Sequence, residues 1–233
     1  MKDNTGKPPF ETADLREMLR TYLDSPFADP VAGVSRPVGN FKWGVYAFFD
    51  YDKEPIYVGQ TNEMLRTRIR RHLTNQRTDA VAMSVLDPFE VMEIEVWPLP
   101  QFQMTDGKDR QAKLHLDALE AAIFAAAIKT SQFSAVLNEK DPPPSLVGVE
   151  APPSLRACIV SPRVLELRAH PDFRIARRAM VTARLAQVIA EREVKGGLRR
   201  ALVTQSNRLL WLAARRYKAL GGAASVERED GGA

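Results

Sequence analysis

The sequence predicts an α+β protein, in which a small three-stranded antiparallel sheet is flanked by helices and followed by a basic helical module. Three observations lead to this prediction. Two short apolar segments, WGVYAFF and PIYVG, are separated by the turn-rich DYDKE, as in a β-hairpin. Apolar residues recur at helical spacing on both sides of a third strand-like segment. Arginine-rich helical patterns follow a proline-rich stretch near residue 150.

Composition divides the chain into five parts. Residues 1–40 are predicted to form an N-terminal helix and loop, and residues 41–141 the sheet with its helices. A proline-rich linker at 142–154 then leads to the basic helical module at 155–222 and a flexible tail at 223–233. The N-terminal helix, ADLREMLRTYL, has its apolar residues on one face, so we expect it to pack on the sheet.

The first two strands place two phenols on one face of the sheet. A symmetric hairpin that turns at Tyr51 and Asp52 would set Tyr46 opposite Tyr57. A register slip of two residues would separate them but keep them on that face. By itself such a pair is typical of packed cross-strand aromatic residues. A third strand is predicted in PFEVMEIEVWPLP, where apolar and acidic residues alternate.

The helix predicted after the hairpin, NEMLRTRIRRHL, has Asn62 as its N-cap and a buried stripe of leucine and isoleucine residues. Arg68 and His72 are four residues apart and border that stripe, whereas Arg66 and Arg70 project elsewhere. We interpret Arg68 as a phosphate-binding group, because a guanidinium matches two phosphate oxygens at once.

A second helix, KLHLDALEAAIFAAAIK, has a carboxylate inside its apolar stripe. Glu120 lies about 40° from Leu116 and about 20° from Ala127 around the helix axis. An ionised carboxylate in such a place needs a cation or hydrogen-bond donors. Two interpretations stay open: a buried ion pair with an arginine, or a ligand of a hard cation such as Mg²⁺.

Taken in order, these elements resemble the GIY-YIG nuclease superfamily. The resemblance covers about residues 40 to 140 and depends on the order and spacing of five elements rather than on any single triplet. These elements are Gly44-Val45-Tyr46, Tyr57-Val58-Gly59, Arg68 with His72, Glu120, and Asn138 in AVLNEK.

The resemblance implies a metal-dependent phosphodiesterase. Tyr46 would act as general base or orient the attacking water, with Tyr57 hydrogen-bonded nearby. Arg68 would stabilise the phosphate, Glu120 would hold one Mg²⁺ or Mn²⁺ ion, and Asn138 would brace the site. A free tyrosine has a pKa near 10, so Tyr46 can act as a base only if a neighbour favours its phenolate. His72 could accept the proton of Tyr46 or orient its ring.

Composition excludes several other classes. No apolar run reaches the length of a membrane span, and the first residues, MKDNTGKPPFE, lack the apolar core of a signal peptide. The single cysteine excludes an intrachain disulfide, and the three histidines are too scattered for a zinc cluster. We therefore expect a protein of the reducing cytoplasm, with no membrane partner.

The charge is distributed unevenly along the chain. Residues 1–150 contain 17 Lys/Arg and 22 Asp/Glu, whereas residues 151–222 contain 15 and 4. The second region is predicted to form a short helix and two long ones, with arginines between apolar positions. We interpret it as a DNA-binding surface, although a solvated bundle or a dimerisation element would have the same pattern. The candidate DNA contacts are Arg174, Arg177, Arg178, Arg199, Arg200, Arg215 and Arg216.

The sequence thus predicts a metal-dependent DNA endonuclease of restriction, phage defence or mobile-element biology. The alternative is a non-catalytic nucleic-acid-binding or assembly protein that retains the nuclease fold. The cleavage sequence and the choice of single- or double-stranded substrate are left open. Because one active site cuts one strand, double-strand cleavage would need a homodimer or rebinding, and the sequence does not choose between them.

Overall fold

The structure, a computed structural model, describes residues 10–74, 85–145 and 148–222. These residues form six α-helices and six β-strands. The helices are α1 (Phe10–Leu23), α2 (Leu65–Leu73), α3 (Arg110–Thr130), α4 (Pro162–Arg168), α5 (Pro171–Glu191) and α6 (Gly196–Ala219). The strands are β1 (Pro26–Asp29), β2 (Val34–Pro37), β3 (Gly44–Phe49), β4 (Pro55–Thr61), β5 (Glu93–Pro98) and β6 (Leu155–Cys158).

The main sheet has four antiparallel strands in the order β4-β3-β5-β6, so the prediction of three strands was wrong. The fourth strand, β6, begins directly after the proline-rich segment, at the start of the region predicted to be helical. Its alternation covers only four residues, too few to stand out as a strand pattern. Arg156 of β6 pairs with Glu93 of β5, which helps to hold the added strand in register.

Helix α1 packs on the sheet as expected, with Leu15, Leu19 and Leu23 buried in the same core as Tyr46. The segment after α1, predicted to be loop, instead contains the small two-stranded hairpin of β1 and β2. Asp29 stabilises its turn, because its side chain accepts two backbone N–H groups of the residues that follow.

Helices cover both faces of the main sheet. On one face, α3 packs against Val45 and Ala47 of β3. On the other, Tyr46 and Phe48 of β3 pack against α1, α2 and parts of α5 and α6. Strand β3 is therefore buried along its whole length, which explains why its sequence is continuously apolar.

The last three helices, α4 to α6, occupy the segments in which helices were predicted. Leu185 of α5 and Leu198 of α6 belong to the same core as Tyr46. None of the helices formed by the described residues is long and apolar enough to cross a membrane. The boundaries between the five predicted parts of the chain stay a prediction.

Candidate active site

The hairpin of β3 and β4 brings the two phenols together, but not directly opposite each other. Tyr46 pairs with Gly59, and Tyr57 pairs with Phe48, because the turn shifts the register by about one residue and the irregularity between Phe48 and Phe49 shifts it by another. This is the slip of two residues that keeps both phenols on one face. Their rings stack at 28°, with centroids 6.2 Å apart.

The glycines of the two triplets leave room for these contacts. A Cβ atom on Gly59 would lie 2.6 Å from the Tyr46 hydroxyl, because the ring of Tyr46 lies over this position. A Cβ atom on Gly44 would lie 2.8 Å from the carbonyl oxygen of Trp97 in β5. The triplets therefore combine a tyrosine with a glycine for steric reasons: the glycine accepts the close approach of a ring or of a neighbouring strand.

Helix α2 places a histidine and an arginine beside the hydroxyl of Tyr46. The Tyr46 hydroxyl lies 2.9 Å from Nε2 of His72, and Nε of Arg68 donates to the same oxygen at 3.3 Å. Both side chains come from one face of α2, since they are four residues apart. Arg66 points away and pairs with Asp24, as the helical spacing predicted.

The start of α2 differs from the prediction. The helix begins at Leu65, so Asn62 is not its N-cap. The side-chain Nδ2 of Asn62 instead donates to the carbonyl oxygen of Gly107, in the loop before α3. That loop is 45 residues away in sequence, and local patterns therefore did not reveal the bond.

Tyr46 is completely buried, and this burial controls its protonation. Burial raises the pKa of Tyr46 well above 10, the proximity of Tyr57 raises it further, and the positive charge of Arg68 opposes both effects. At neutral pH Tyr46 is therefore a neutral phenol. It can donate its proton to Nε2 of His72 and accept the hydrogen bond from Arg68.

Asn138 braces the strand that carries the second triplet. Its Oδ1 accepts the Val58 N–H at 3.1 Å, and its Nδ2 donates to the Val58 carbonyl oxygen at 2.6 Å. The neighbouring Leu137 N–H donates to the carbonyl oxygen of Ile56. Because β4 is an edge strand, these bonds pair backbone groups that would otherwise lack partners.

Glu120 approaches this edge from α3. The residues around it in the helical stripe are buried, and Glu120 itself is partly buried. Burial and the negative charge of Asp117 raise the pKa of Glu120 from 4.5 to about 7, while the charge of Arg68 and a hydrogen bond from Gln60 lower it. Arg68 therefore lowers the pKa of Glu120, but not enough to offset burial and the negative charge of Asp117.

Two residues that the sequence did not single out surround this carboxylate. Nε2 of Gln60 donates to Oδ1 of Asp117 at 2.7 Å, and the Oε1 atom of Gln60 is buried without a hydrogen-bond partner. Both positions carried a signal: Gln60 directly follows the second triplet, and Asp117 lies one helical turn before Glu120.

The oxygen atoms at this place suit a divalent cation. No three His, Cys, Asp or Glu side chains gather into a metal cluster anywhere in residues 10–74, 85–145 and 148–222. Mg²⁺, however, commonly takes one or two protein carboxylates and keeps several waters. The partly buried carboxylate of Glu120 could hold such an ion.

The predicted site residues surround one cleft of about 460 Å³. Five of them line its walls, namely Tyr57, Arg68, His72, Glu120 and Asn138. Tyr46 lies behind this wall, so it is Tyr57 that faces the cleft. A larger hollow of about 870 Å³ lies between α1 and α5, but its acidic residue, Asp87, is already paired with Arg177. The smaller cleft is therefore the candidate active site.

The predicted DNA-contacting arginines fall into two groups. Arg174 and Arg178 are only 2 to 4% exposed, and both bind the carboxylates of Asp50 and Asp52 in the hairpin turn. A buried guanidinium held by carboxylates is not available to a phosphate, so the surface role predicted for these two is corrected.

Of the remaining five, Arg177 pairs with Asp87 and Arg216 with Asp172, each through two hydrogen bonds. The other three, Arg199, Arg200 and Arg215, have exposed side chains.

Comparison with known proteins places part of the chain in a family. Residues 42–106 match the family model of the GIY-YIG catalytic domain. This stretch contains Tyr46, Tyr57, Arg68 and His72, whereas Glu120 and Asn138 lie beyond its end. Neither the curated proteins nor the solved structures gave a match. The matched stretch carries both triplets and the arginine helix in the expected order, and residues 42–106 are therefore similar to the GIY-YIG catalytic domain.

Proposed function

We propose that the protein is a metal-dependent endonuclease that hydrolyses phosphodiester bonds of DNA. The observation that carries this proposal is the convergence of the predicted side chains on one cleft, although they come from β3, β4, α2, α3 and the segment after α3. A phosphodiesterase needs a group that orients water, a cationic partner for the phosphate and a site for a divalent ion. The cleft contains residues suited to each of these tasks.

Arg68 is the residue that we assign to the phosphate. It lines the cleft, and its Nε donates to the Tyr46 hydroxyl, which fixes the orientation of the guanidinium. A guanidinium fixed in this way stabilises the negative charge that grows on the phosphorus oxygens. A Mg²⁺ or Mn²⁺ ion held by Glu120 would neutralise further charge and stabilise the leaving alkoxide.

The two tyrosines receive different roles. Tyr57 faces the cleft and is the phenol that we assign to contact with the attacking water. Tyr46 lies behind it, coupled to Tyr57 on one side and bonded to His72 on the other. As the water oxygen attacks phosphorus, its proton can move toward the phenols, and Tyr46 can pass a proton to Nε2 of His72.

DNA would approach across the start of α6. Two acidic residues that line the cleft, Glu139 and Asp141, contact the start of α6. Gly197 lies against the backbone of Glu139, and Arg200 pairs with Asp141. Arg199 is exposed at the same end of α6. A phosphate backbone that enters the cleft would therefore pass close to these two arginines, and a phosphate can replace the exposed Asp141 as partner.

Digestion of plasmid and of single-stranded DNA tests the activity directly. We expect cleavage with Mg²⁺ and none with EDTA. Glu120→Gln should keep the fold and DNA binding but lose cleavage, whereas Glu139→Gln, which removes another cleft carboxylate, should remain active. Cleavage at the wild-type rate by Glu120→Gln under saturating Mg²⁺ would contradict the assignment. DNA binding without any cleavage by the wild-type protein would favour the non-catalytic alternative.

The salt dependence of DNA affinity tests the proposed surface. Each phosphate contact contributes about −0.9 to the slope of log K against log salt for B-DNA. Replacing Arg199 and Arg200 together by glutamine should flatten this slope, with little change in the melting temperature. Arg216→Gln serves as the control, because its guanidinium is held by Asp172. Equal slopes for both variants would show that DNA binds elsewhere.

A further inference from the structure

Gln60 stands between two carboxylates in an arrangement that leaves one of its own atoms unsatisfied. Its amide nitrogen bonds Asp117 at 2.7 Å and also interacts with Glu120, one helical turn further along α3. Its amide oxygen is buried and has no donor. A buried oxygen without a partner costs free energy, and two carboxylates on one helical face repel each other. A cation bound beside these carboxylates, with the amide of Gln60 turned toward it, would offset both costs.

We infer that Gln60 and Asp117 complete the cation site of Glu120, with Asp117 as a second carboxylate ligand and Gln60 as an amide ligand. This inference rests on the proposed function, which requires only Glu120. The amide nitrogen of Gln60 now faces the carboxylates, as it must when no cation is bound between them. A half-turn of the amide exchanges its nitrogen for its oxygen, which then faces the ion.

The chemistry of the three ligands fits a small hard cation. Carboxylate and amide oxygens are the donors that Mg²⁺ and Mn²⁺ prefer, and two carboxylates compensate both charges of the ion. The ligands also come from two rigid elements, Gln60 from β4 and Asp117 with Glu120 from α3. Strand and helix already contact each other across Gln60 and Asp117, so ion binding would not require the backbone to move.

Mn²⁺ binding to the full-length protein, measured by calorimetry and by electron paramagnetic resonance without DNA, tests this inference. Asp117→Asn should weaken Mn²⁺ binding by about tenfold or more. Gln60→Met, which keeps the length of the side chain but removes its oxygen, should weaken it several-fold. Glu139→Gln, which removes an exposed carboxylate of the same cleft, should leave the affinity unchanged.

Thermal unfolding separates a ligand from a merely structural residue. As a ligand, Asp117 is repelled by Glu120 when no ion is bound, so Asp117→Asn should raise the metal-free melting temperature and reduce the increase that Mn²⁺ produces. A structural role predicts a lower melting temperature and an unchanged increase.

Glu120→Gln distinguishes a failure of this inference from a failure of the proposed function. If this variant loses Mn²⁺ while Asp117→Asn and Gln60→Met bind it like the wild type, the inference is wrong and the proposed function stands. If Glu120→Gln itself binds Mn²⁺ like the wild type, the metal assignment in the proposed function is wrong.

Discussion

The Tyr46 hydroxyl lies 2.9 Å from Nε2 of His72, and the whole tyrosine is shielded from solvent. Arg68 donates to the same hydroxyl. One buried oxygen thus fixes the positions of a base and of a guanidinium that both line the cleft. In the proposed mechanism Tyr46 both positions these two groups and passes a proton to His72, so its removal should affect cleavage far more than binding.

We predict that Tyr46→Phe lowers the single-turnover cleavage rate by on the order of 10²–10⁴, which is typical when acid–base catalysis is lost. DNA affinity should change little, because the hydroxyl does not reach the cleft surface. Tyr22→Phe is a matched control, since it removes another buried hydroxyl, which donates to the carbonyl oxygen of Leu155. A similar loss of rate in both variants would indicate a general effect on the fold.

Arg68→Ala should lower the cleavage rate by on the order of 10²–10³, the usual effect of removing one electrostatic stabiliser of a transition state. The change in DNA affinity should be small. Arg66→Ala should retain the rate, because Arg66 faces away from the cleft and pairs with Asp24. Single-turnover kinetics compare the two. If they lose rate equally, Arg68 has no special role at the phosphate.

The raised pKa of Glu120 predicts a specific dependence of stability on pH. Because the folded-state pKa is about 7 and the ordinary value is 4.5, the folded metal-free protein binds the proton more tightly than the unfolded chain. The contribution of Glu120 to stability is therefore fully present below pH 4.5 and is lost as the pH rises through 7.

The melting temperatures of wild-type and Glu120→Gln proteins in EDTA measure this effect. Their difference should increase in favour of the Gln variant between pH 5 and pH 8. Mn²⁺ should reduce the difference at pH 8, because it binds the ionised carboxylate. A difference that does not vary with pH would contradict the raised pKa.

Asp50 supports the largest buried charge network of the described residues. Its Oδ2 accepts hydrogen bonds from Arg178 and Arg208, both about 2% exposed. Asp50→Asn would leave these charges without a full partner and should lower the free energy of unfolding by about 3–5 kcal/mol. Asp141→Asn breaks only an exposed pair with Arg200 and should lower it by less than about 1 kcal/mol. Urea denaturation measures both, and equal effects would show that the network does not stabilise the fold.

Local patterns predicted much of the geometry of the candidate site. The alternation of strands and the spacing of helices placed Tyr46, Tyr57, Arg68 and His72 on faces that meet, and the apolar stripe singled out Glu120. These predictions succeeded because each depends on residues within one element or one hairpin.

Contacts between distant segments could not be predicted in this way. Strand β6 pairs with a strand about 60 residues earlier, and its own pattern is too short to detect. The arginines of α5 were interpreted as DNA contacts, because nothing near them in sequence shows the acidic hairpin turn that binds Arg174 and Arg178. The bond between Gln60 and Asp117 likewise joins residues 57 positions apart.

The network at the hairpin turn also affects how the protein is made. Arg208 and its partner Asp50 are 158 positions apart, so the turn beside the two tyrosines obtains its full set of arginine partners only when nearly all of the chain has left the ribosome. Contacts at such separation slow folding. We expect nascent chains that end at residue 150 to be digested readily by proteases, and those that end at residue 222 to resist. Synthesis that stops early would then release no folded protein.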